Sequence, residues 1–212
     1  MSFKTIAQFC ACAYEEKDIS FADMGVHNFE YVTSESNRND PQCYVFQLGD
    51  FKYFIFRGTS SFIDFVRDVS FRKKDILFDT SQKVFCHSGF LKEYMSIRDK
   101  LLKYAFPSEN IIIAGHSLGG AMANLMAYDL ADNFLEHSFY VYTFGCPKMF
   151  NCKGVDVFSN ICANSFNFVN KLDIVTWLPF GYPPLPKIKL TNYGHNIHNY
   201  ISMFEKHSQT YS

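Results

Sequence analysis

The stretch that decides the fold is Ile111-Ile112-Ile113-Ala114-Gly115-His116-Ser117-Leu118-Gly119-Gly120. Its apolar start is typical of a strand covered on both faces, and Ala121 to Asn133 behind it has the composition and apolar spacing of a helix. A serine on a tight turn from strand to helix presents its hydroxyl at the carboxyl edge of a sheet. Such a turn is so crowded that Gly115 and Gly119 must lack side chains. Ser117 is therefore a candidate nucleophile.

Strand and helix patterns alternate on both sides of this turn. A helix is expected from about Gly89 to Tyr104, and Gly49-Asp50 joins two strands into a β-hairpin. The expected strands besides the central one are Cys43 to Leu48, Phe51 to Phe56, Phe139 to Phe144 and Ser165 to Val169. This alternation predicts an α/β fold with a central, mostly parallel sheet flanked by helices. Because no repeat or linker interrupts it, residues 1–212 are predicted to form a single domain.

Composition excludes several classes of function. With 212 residues, 48% of them hydrophobic, the chain can fill a sizeable core and is not intrinsically disordered. The net charge is −1 and Arg72-Lys73-Lys74 is an isolated basic cluster, so no nucleic-acid partner is expected. No apolar run approaches the roughly 20 residues that a transmembrane helix needs. The seven cysteines form no CxxC pair and no Cys/His set at zinc spacing, so no metal or cofactor is expected.

The amino-terminal residues bear on the compartment. An apolar stretch that ends in Ala11-Cys12-Ala13 superficially resembles a signal peptide, but Ile6, Phe9, Cys10 and Ala13 fall on one face of a helix. We therefore expect a first helix of the fold. The odd number of cysteines predicts mostly buried free thiols in a reducing compartment. The predicted location is cytoplasmic, and secretion is the alternative.

A serine nucleophile needs a carboxylate partner for its histidine base, and in this type of fold the chain order is serine, acid, histidine. Asp173 follows a predicted strand by a few residues, at the sheet edge where Ser117 also emerges. Asp129 and Asp132 lie along the helix that leaves the site, where we expect them to be solvated. Asp173 is therefore the candidate acid.

The candidate bases are His195 and His198, in a loop that enters the last helix. The chemistry of the residues alone does not separate them. His116, beside the serine, is expected to point away from it and to be structural.

Hydrolysis of an ester also needs donors for the oxyanion of the tetrahedral intermediate. The backbone N–H of Leu118, directly after the nucleophile, is the first candidate. The second is expected on a loop after an earlier strand, where Thr59 offers both an N–H and a hydroxyl.

Five segments resemble, in the same order, the successive motifs of the class 3 lipases, the fungal lipase-like family of α/β-hydrolases. They are FRGTSSFIDFVRDVSF (residues 56–71), HSGF (87–90), IIIAGHSLGGAMANLMA (111–127), YTFGCPK (142–148) and NKLDIVTWLP (170–179). The resemblance covers roughly Ala7 to Phe204. It implies the α/β-hydrolase fold, with Ser117 as nucleophile, Asp173 as acid, and Thr59 with Leu118 as the oxyanion hole.

The resemblance also distinguishes the two histidines. In this family the catalytic histidine commonly precedes an aromatic residue by five positions, and Tyr200 stands five positions after His195. The resemblance therefore implies that His195, rather than His198, is the base.

A short amphipathic segment follows Thr59. Phe62, Phe65, Val66 and Val69 recur at i, i+3, i+4 and i+7, which predicts a short helix with one apolar face. The resemblance implies that this helix is a lid over the active site that makes transient contact with a lipid interface. The alternative is a helix packed permanently on the core.

The predicted function is that of a serine hydrolase that cleaves carboxylic ester bonds of lipids, of the triacylglycerol lipase or phospholipase type, through an acyl-enzyme. The expected partner is thus a lipid or other ester substrate. The alternatives are an esterase for small soluble esters and a non-catalytic, lipase-like interaction protein. The aromatic stretch from Trp177 to Tyr182 is expected to border the serine and to mark where an acyl chain enters.

Overall fold

The computed structural model describes residues 1–15, 17–34, 42–59, 75–79, 81–106, 110–133, 138–191 and 194–208. Within these ranges the strands form a seven-stranded sheet and a separate two-stranded sheet. The strands of the larger sheet are β1 (Glu30–Thr33), β2 (Gln42–Leu48), β3 (Phe51–Arg57), β6 (Asn110–His116), β7 (Ser138–Phe144), β8 (Ser165–Asn170) and β9 (Ile188–Leu190). The smaller sheet pairs β4 (Asp75–Asp79) with β5 (Val84–His87).

Helices cover both faces of the larger sheet. They are α1 (Phe3–Cys12), α2 (Lys17–Ala22), α3 (Ser88–Ala105), α4 (Leu118–Asn133), α5 (Cys152–Ile161) and α6 (Ile197–Ser208). A turn of 3-10 helix, Ile174–Trp177, follows β8. In the described ranges, none of the helices combines the length and apolar character that a bilayer crossing requires.

The order of strands in the larger sheet is β1-β2-β3-β6-β7-β8-β9. The first three strands pair antiparallel, and every later neighbour pairs parallel. The predictions of a hairpin and of a mostly parallel central sheet flanked by helices are confirmed. Since β3, β6, β7, β8 and β9 run in one direction, the loops that follow them meet at one edge of the sheet.

The central strand β6 is buried on both faces, as its apolar run predicts. Ile111 and Ile113 belong to a core cluster that includes side chains of α3 and α4. Ile112 and Ala114 belong to a second cluster, on the other face, with side chains of α1 and α6. The core therefore holds β6 between two helical layers and fixes the position of the turn that follows it.

Some elements were not anticipated from the sequence, and one cannot be compared. The sequence analysis did not predict the two-stranded sheet, α5 or the short strand β9. The helix after the serine begins at Leu118, three residues before the predicted start. The predicted lid residues Phe62, Phe65, Val66 and Val69 lie outside the described residues, so the lid stays a prediction.

All seven cysteines lie in the described ranges, and none of them is in a disulfide. Five are buried, Cys146 is partly exposed and Cys152 is exposed. Burial raises the pKa of the Cys146 thiol to about 12. This thiol is therefore protonated near neutral pH and is a poor nucleophile.

Candidate active site

Ser117 occupies a strained turn between β6 and α4. Its φ is +61°, a left-handed conformation that residues other than glycine seldom adopt, and its side chain is fully buried. A Cβ atom at Gly115 would collide with the carbonyl of Gly119, and one at Gly119 would collide with the carbonyl of Phe56. Both glycines are therefore required by close approach of the backbone, as the sequence predicted.

The imidazole of His195 bridges Ser117 and Asp173. Its Nε2 atom lies 2.7 Å from Ser117 Oγ. Its Nδ1 atom lies 2.9 Å from Asp173 Oδ1 and 2.8 Å from Asp173 Oδ2. The three side chains, which lie far apart in the sequence, thus form one hydrogen-bonded line at the carboxyl edge of the sheet.

The carboxylate of Asp173 is fully buried and well supplied with donors. Besides His195, the Tyr200 hydroxyl donates to Oδ2 at 2.6 Å and the Val175 N–H donates to Oδ1 at 3.0 Å. Burial, together with the neighbouring carboxylate, raises the pKa of Tyr200 well above its ordinary value. Tyr200 therefore stays protonated and serves as a permanent donor to Asp173.

Gly145 forms the floor beneath the histidine and the acid. It follows β7 directly and has a φ of +63°. A Cβ atom there would lie 2.5 Å from Asp173 Oδ2 and 2.9 Å from His195 Nδ1. Only a glycine leaves room for the two side chains to meet.

His116 links the serine turn to the loop that carries His195. Its Nε2 lies 2.6 Å from the backbone oxygen of His195, and its Nδ1 lies 2.8 Å from the Tyr14 hydroxyl. Because a carbonyl oxygen only accepts, Nε2 carries the proton and Nδ1 accepts from Tyr14. Burial, aided by the nearby His195, lowers the pKa of His116 to about 3, so the ring is neutral near neutral pH. His116 thus has the structural role expected of it, and its contact with the loop of His195 was not foreseen.

Leu118 follows the serine directly, and the residue before Thr59 packs against it. Leu118 is the first residue of α4, where the backbone N–H groups have no partner within the helix and the helix dipole favours negative charge. A Cβ atom at Gly58 would lie 3.1 Å from Ser117 Cβ, so the backbone that leads into Thr59 runs directly against the serine. The structure thus brings the loop of Thr59 to the same place as Leu118.

The other candidates from the sequence lie elsewhere. His198 is exposed, and its backbone N–H donates to Asn196 Oδ1. Asp129 is only 5% exposed, and the expectation that it is solvated was wrong. Its carboxylate accepts from both Nε and Nη2 of Arg98, at 2.6 Å and 2.8 Å, and from the Tyr94 hydroxyl at 2.6 Å. These partners on α3 supply the positive charge and the donors that burial of a carboxylate requires.

Sequence reasoning missed Gly145 and Tyr200 as members of the site. The spacing of Tyr200 from His195 marked Tyr200 in the sequence. That spacing did not show that its hydroxyl contacts Asp173. Among the described side chains, no three of His, Cys, Asp and Glu lie together as a metal site would need.

Comparisons with known proteins agree with this geometry. The model of the family described as Lipase (class 3) matches residues 53–182. A lipase of Rhizomucor miehei is 32% identical over 146 residues, which cover 61% of this chain and 39% of that protein. Phospholipase A1-IIdelta of Arabidopsis thaliana is 36% identical over 88 residues, which cover 40% of this chain and 21% of that protein. The aligned region therefore spans less than half of each of these curated relatives.

The solved structure of lipase II from Rhizopus niveus superposes with a TM-score of 0.75 at 25% identity. The superposition covers 92% of this chain and 81% of that one. The expected α/β-hydrolase fold is thereby confirmed.

Proposed function

Since this chain belongs to the class 3 lipase family, we propose that it is a serine hydrolase that cleaves carboxylic ester bonds of lipids. The observation that carries the proposal is the hydrogen-bonded line from Ser117 Oγ through His195 to the buried carboxylate of Asp173. A serine hydroxyl is a weak nucleophile at neutral pH, and this arrangement is the one that activates it.

In the first half of the reaction, Ser117 Oγ attacks the ester carbonyl while its proton passes to His195 Nε2. Asp173 holds the Nδ1–H of His195, which fixes the tautomer and stabilises the imidazolium that forms. His195 then gives the proton to the departing alcohol oxygen as the bond between that oxygen and the acyl carbon breaks. An acyl ester on Ser117 remains.

Negative charge develops on the carbonyl oxygen in the tetrahedral intermediate. The N–H of Leu118 at the start of α4 and the donors of Thr59 are the groups proposed to hold this oxygen. The dipole of α4 adds to their effect because its positive end faces the serine.

In the second half, His195 removes a proton from water, and the resulting hydroxide attacks the acyl carbon. The tetrahedral intermediate collapses with release of the fatty acid, and His195 returns its proton to Ser117 Oγ. The two halves together use only groups of this chain, the ester and one water molecule, and they restore the starting state of Ser117 and His195.

The substrate class rests on the relatives and on the surface beside the site. The relatives are named a lipase and a phospholipase A1, so esters of glycerolipids are the proposed substrates. We include in this proposal a transient contact of the segment containing Phe62, Phe65, Val66 and Val69 with lipid, which its amphipathic spacing supports. Turnover that rises when an ester passes from monomers to droplets would favour lipids over small soluble esters.

Labelling with a fluorophosphonate probe tests the chemistry. Folded wild-type protein should be labelled, and Ser117→Ala should not be. Ser96→Ala is a matched control, because Ser96 is exposed and its hydroxyl donates to the Glu93 oxygen of its own helix. Folded wild-type protein that stays unlabelled would overturn the proposed function.

A further inference from the structure

Four large apolar side chains lie exposed on both sides of the proposed acid. They are Leu172, Ile174, Trp177 and Phe180, with exposed fractions of 65%, 61%, 59% and 71%, and we call them the apolar patch. The other large exposed apolar side chains of the described ranges form no comparable run in the sequence; they are Met1, Phe3, Met95, Phe106 and Ile188. Such a concentration on a protein surface indicates a contact site.

The patch is held firmly by the element that carries it. In a 3-10 helix, residues i and i+3 point the same way, so Ile174 and Trp177 share the outer side of Ile174–Trp177. Val175 and Thr176 are buried on the inner side. The Thr176 hydroxyl donates to the Asp173 backbone oxygen at 2.8 Å. These contacts fix the outward side chains relative to the acid.

The patch residues also line a groove. With Lys171 and Leu178 they line an open groove of about 490 Å³. Apart from the Lys171 ammonium and the Trp177 indole N–H, the side chains that line it have no hydrogen-bonding group. An interface with another protein commonly includes about ten hydrogen bonds, more than these side chains can form. Hydrocarbon chains need no hydrogen bonds.

Positive charge adjoins this apolar surface, since Lys171 lines the groove itself. Between residues 138 and 191 the chain has five lysines and two aspartates, although its net charge is −1. One of those aspartates, Asp173, is buried. Lys148 and Lys187 line one small pocket. Partial burial, together with the nearby Lys189 and Lys148, lowers the pKa of Lys187. The Lys148 N–H donates to the Leu178 oxygen at 2.8 Å, which joins this lysine cluster to the end of the 3-10 helix.

We propose that the apolar patch and the adjacent lysines dock the protein on an anionic lipid surface. Aromatic and aliphatic side chains would enter the boundary between headgroups and acyl chains, while the lysines remain among anionic headgroups. The inference rests on the proposed function, because docking here would hold Asp173, His195 and Ser117 beside lipid esters.

The chain has one tryptophan, and it lies in the patch. Ser117→Ala protein, which leaves the lipid intact, is mixed with phosphatidylcholine vesicles with and without phosphatidylserine. We expect the emission of Trp177 to shift to the blue and the protein to sediment with vesicles when phosphatidylserine is present. Added salt should weaken binding, because the lysine contribution is screened.

Two pairs of variants in the Ser117→Ala background separate the apolar and charged contributions. Phe180→Ser should lower vesicle affinity about tenfold, whereas Phe106→Ser, at a 52% exposed phenylalanine on the end of α3, should not. Lys187→Glu should lower affinity for anionic vesicles about fivefold or more, whereas Lys103→Glu, exposed on α3, should not. Equal urea midpoints show that each variant is folded.

No sedimentation and no blue shift with either vesicle would overturn the proposal. A blue shift that grows with protein concentration in the absence of vesicles would also overturn it, since it indicates a second copy as the occupant. Hydrolysis of p-nitrophenyl butyrate by wild-type protein is measured in parallel. Ester turnover without vesicle binding contradicts the docking surface alone, and vesicle binding without turnover contradicts the proposed function alone.

Discussion

The Nε2 atom of His116 lies 2.6 Å from the backbone oxygen of His195. The residue directly before the serine therefore holds the loop that carries the proposed base. Through the neutral ring of His116, this hydrogen bond fixes the distance between Ser117 and His195.

The neutral state of His116 predicts how stability changes with pH. Its pKa is lowered from 6.5 to about 3 in the folded protein. Between these values the unfolded chain holds a proton that the folded chain lacks, so stability falls as pH falls, by up to about 1.4 kcal/mol per pH unit. His116→Gln should show a shallower loss in urea unfolding across this window.

His27→Gln is the control for that experiment, because His27 is exposed. It should keep the wild-type dependence on pH. Parallel curves for wild type and His116→Gln would show that His116 does not contribute to acid unfolding.

The two histidines of the last loop should differ sharply in turnover. His195→Ala removes the group that contacts Ser117 Oγ and Asp173, and kcat for a soluble ester should fall by roughly 10⁴ or more. His198→Ala should leave most turnover, since that side chain is exposed. Loss of activity in His198→Ala with retention in His195→Ala would move the base to His198.

Tyr200→Phe should lower the stability of the fold. The substitution removes a donor to Asp173 Oδ2 and the acceptor of the Asn170 N–H, both of them buried. Loss of a bond to a charged group should lower the free energy of unfolding by about 1.5–3 kcal/mol. Urea unfolding measures this, and Tyr104→Phe, a partly exposed tyrosine on α3, should change it by less than about 0.5 kcal/mol. Equal effects of the two substitutions would argue against a special role of Tyr200.

Gly145→Ala tests the floor of the site. The new methyl group would displace Asp173 and His195, and a misplacement of about 1 Å is expected to lower kcat roughly 100-fold. Gly49→Ala is a matched control, because Gly49 has a similar φ of +59° with nothing within 4 Å of the added Cβ. It should cost stability of about 1 kcal/mol with turnover unchanged. If Gly145→Ala kept the wild-type kcat, the site would accommodate the methyl group and glycine would not be required there.

The turn at Ser117 was predictable because its determinants are local. A buried strand, two glycines and a helix follow one another in the sequence. Each of them indicates a tight turn from strand to helix. The choice of His195 was not available from local chemistry, because it depends on where the packing of α6 places the preceding loop. The resemblance to a family supplied that choice.

The buried pair of Asp129 and Arg98 shows the opposite case. Its members are separated by 31 positions in sequence and lie on different helices, so no local pattern announces that the carboxylate is neutralised. The same reason explains why Tyr200 and Gly145 were overlooked. Their importance arises from tertiary contacts with Asp173, which hydrophobic periodicity does not encode.

A single turn of 3-10 helix separates the buried carboxylate of Asp173 from the outward ring of Trp177. On the proposed docking surface, a force that lipid exerts on Trp177 would reach the carboxylate that orients His195 without passing through a hinge. Lipid binding and catalysis would then be coupled through this one turn of helix. A substitution that alters the affinity of this surface for lipid should therefore change turnover as well.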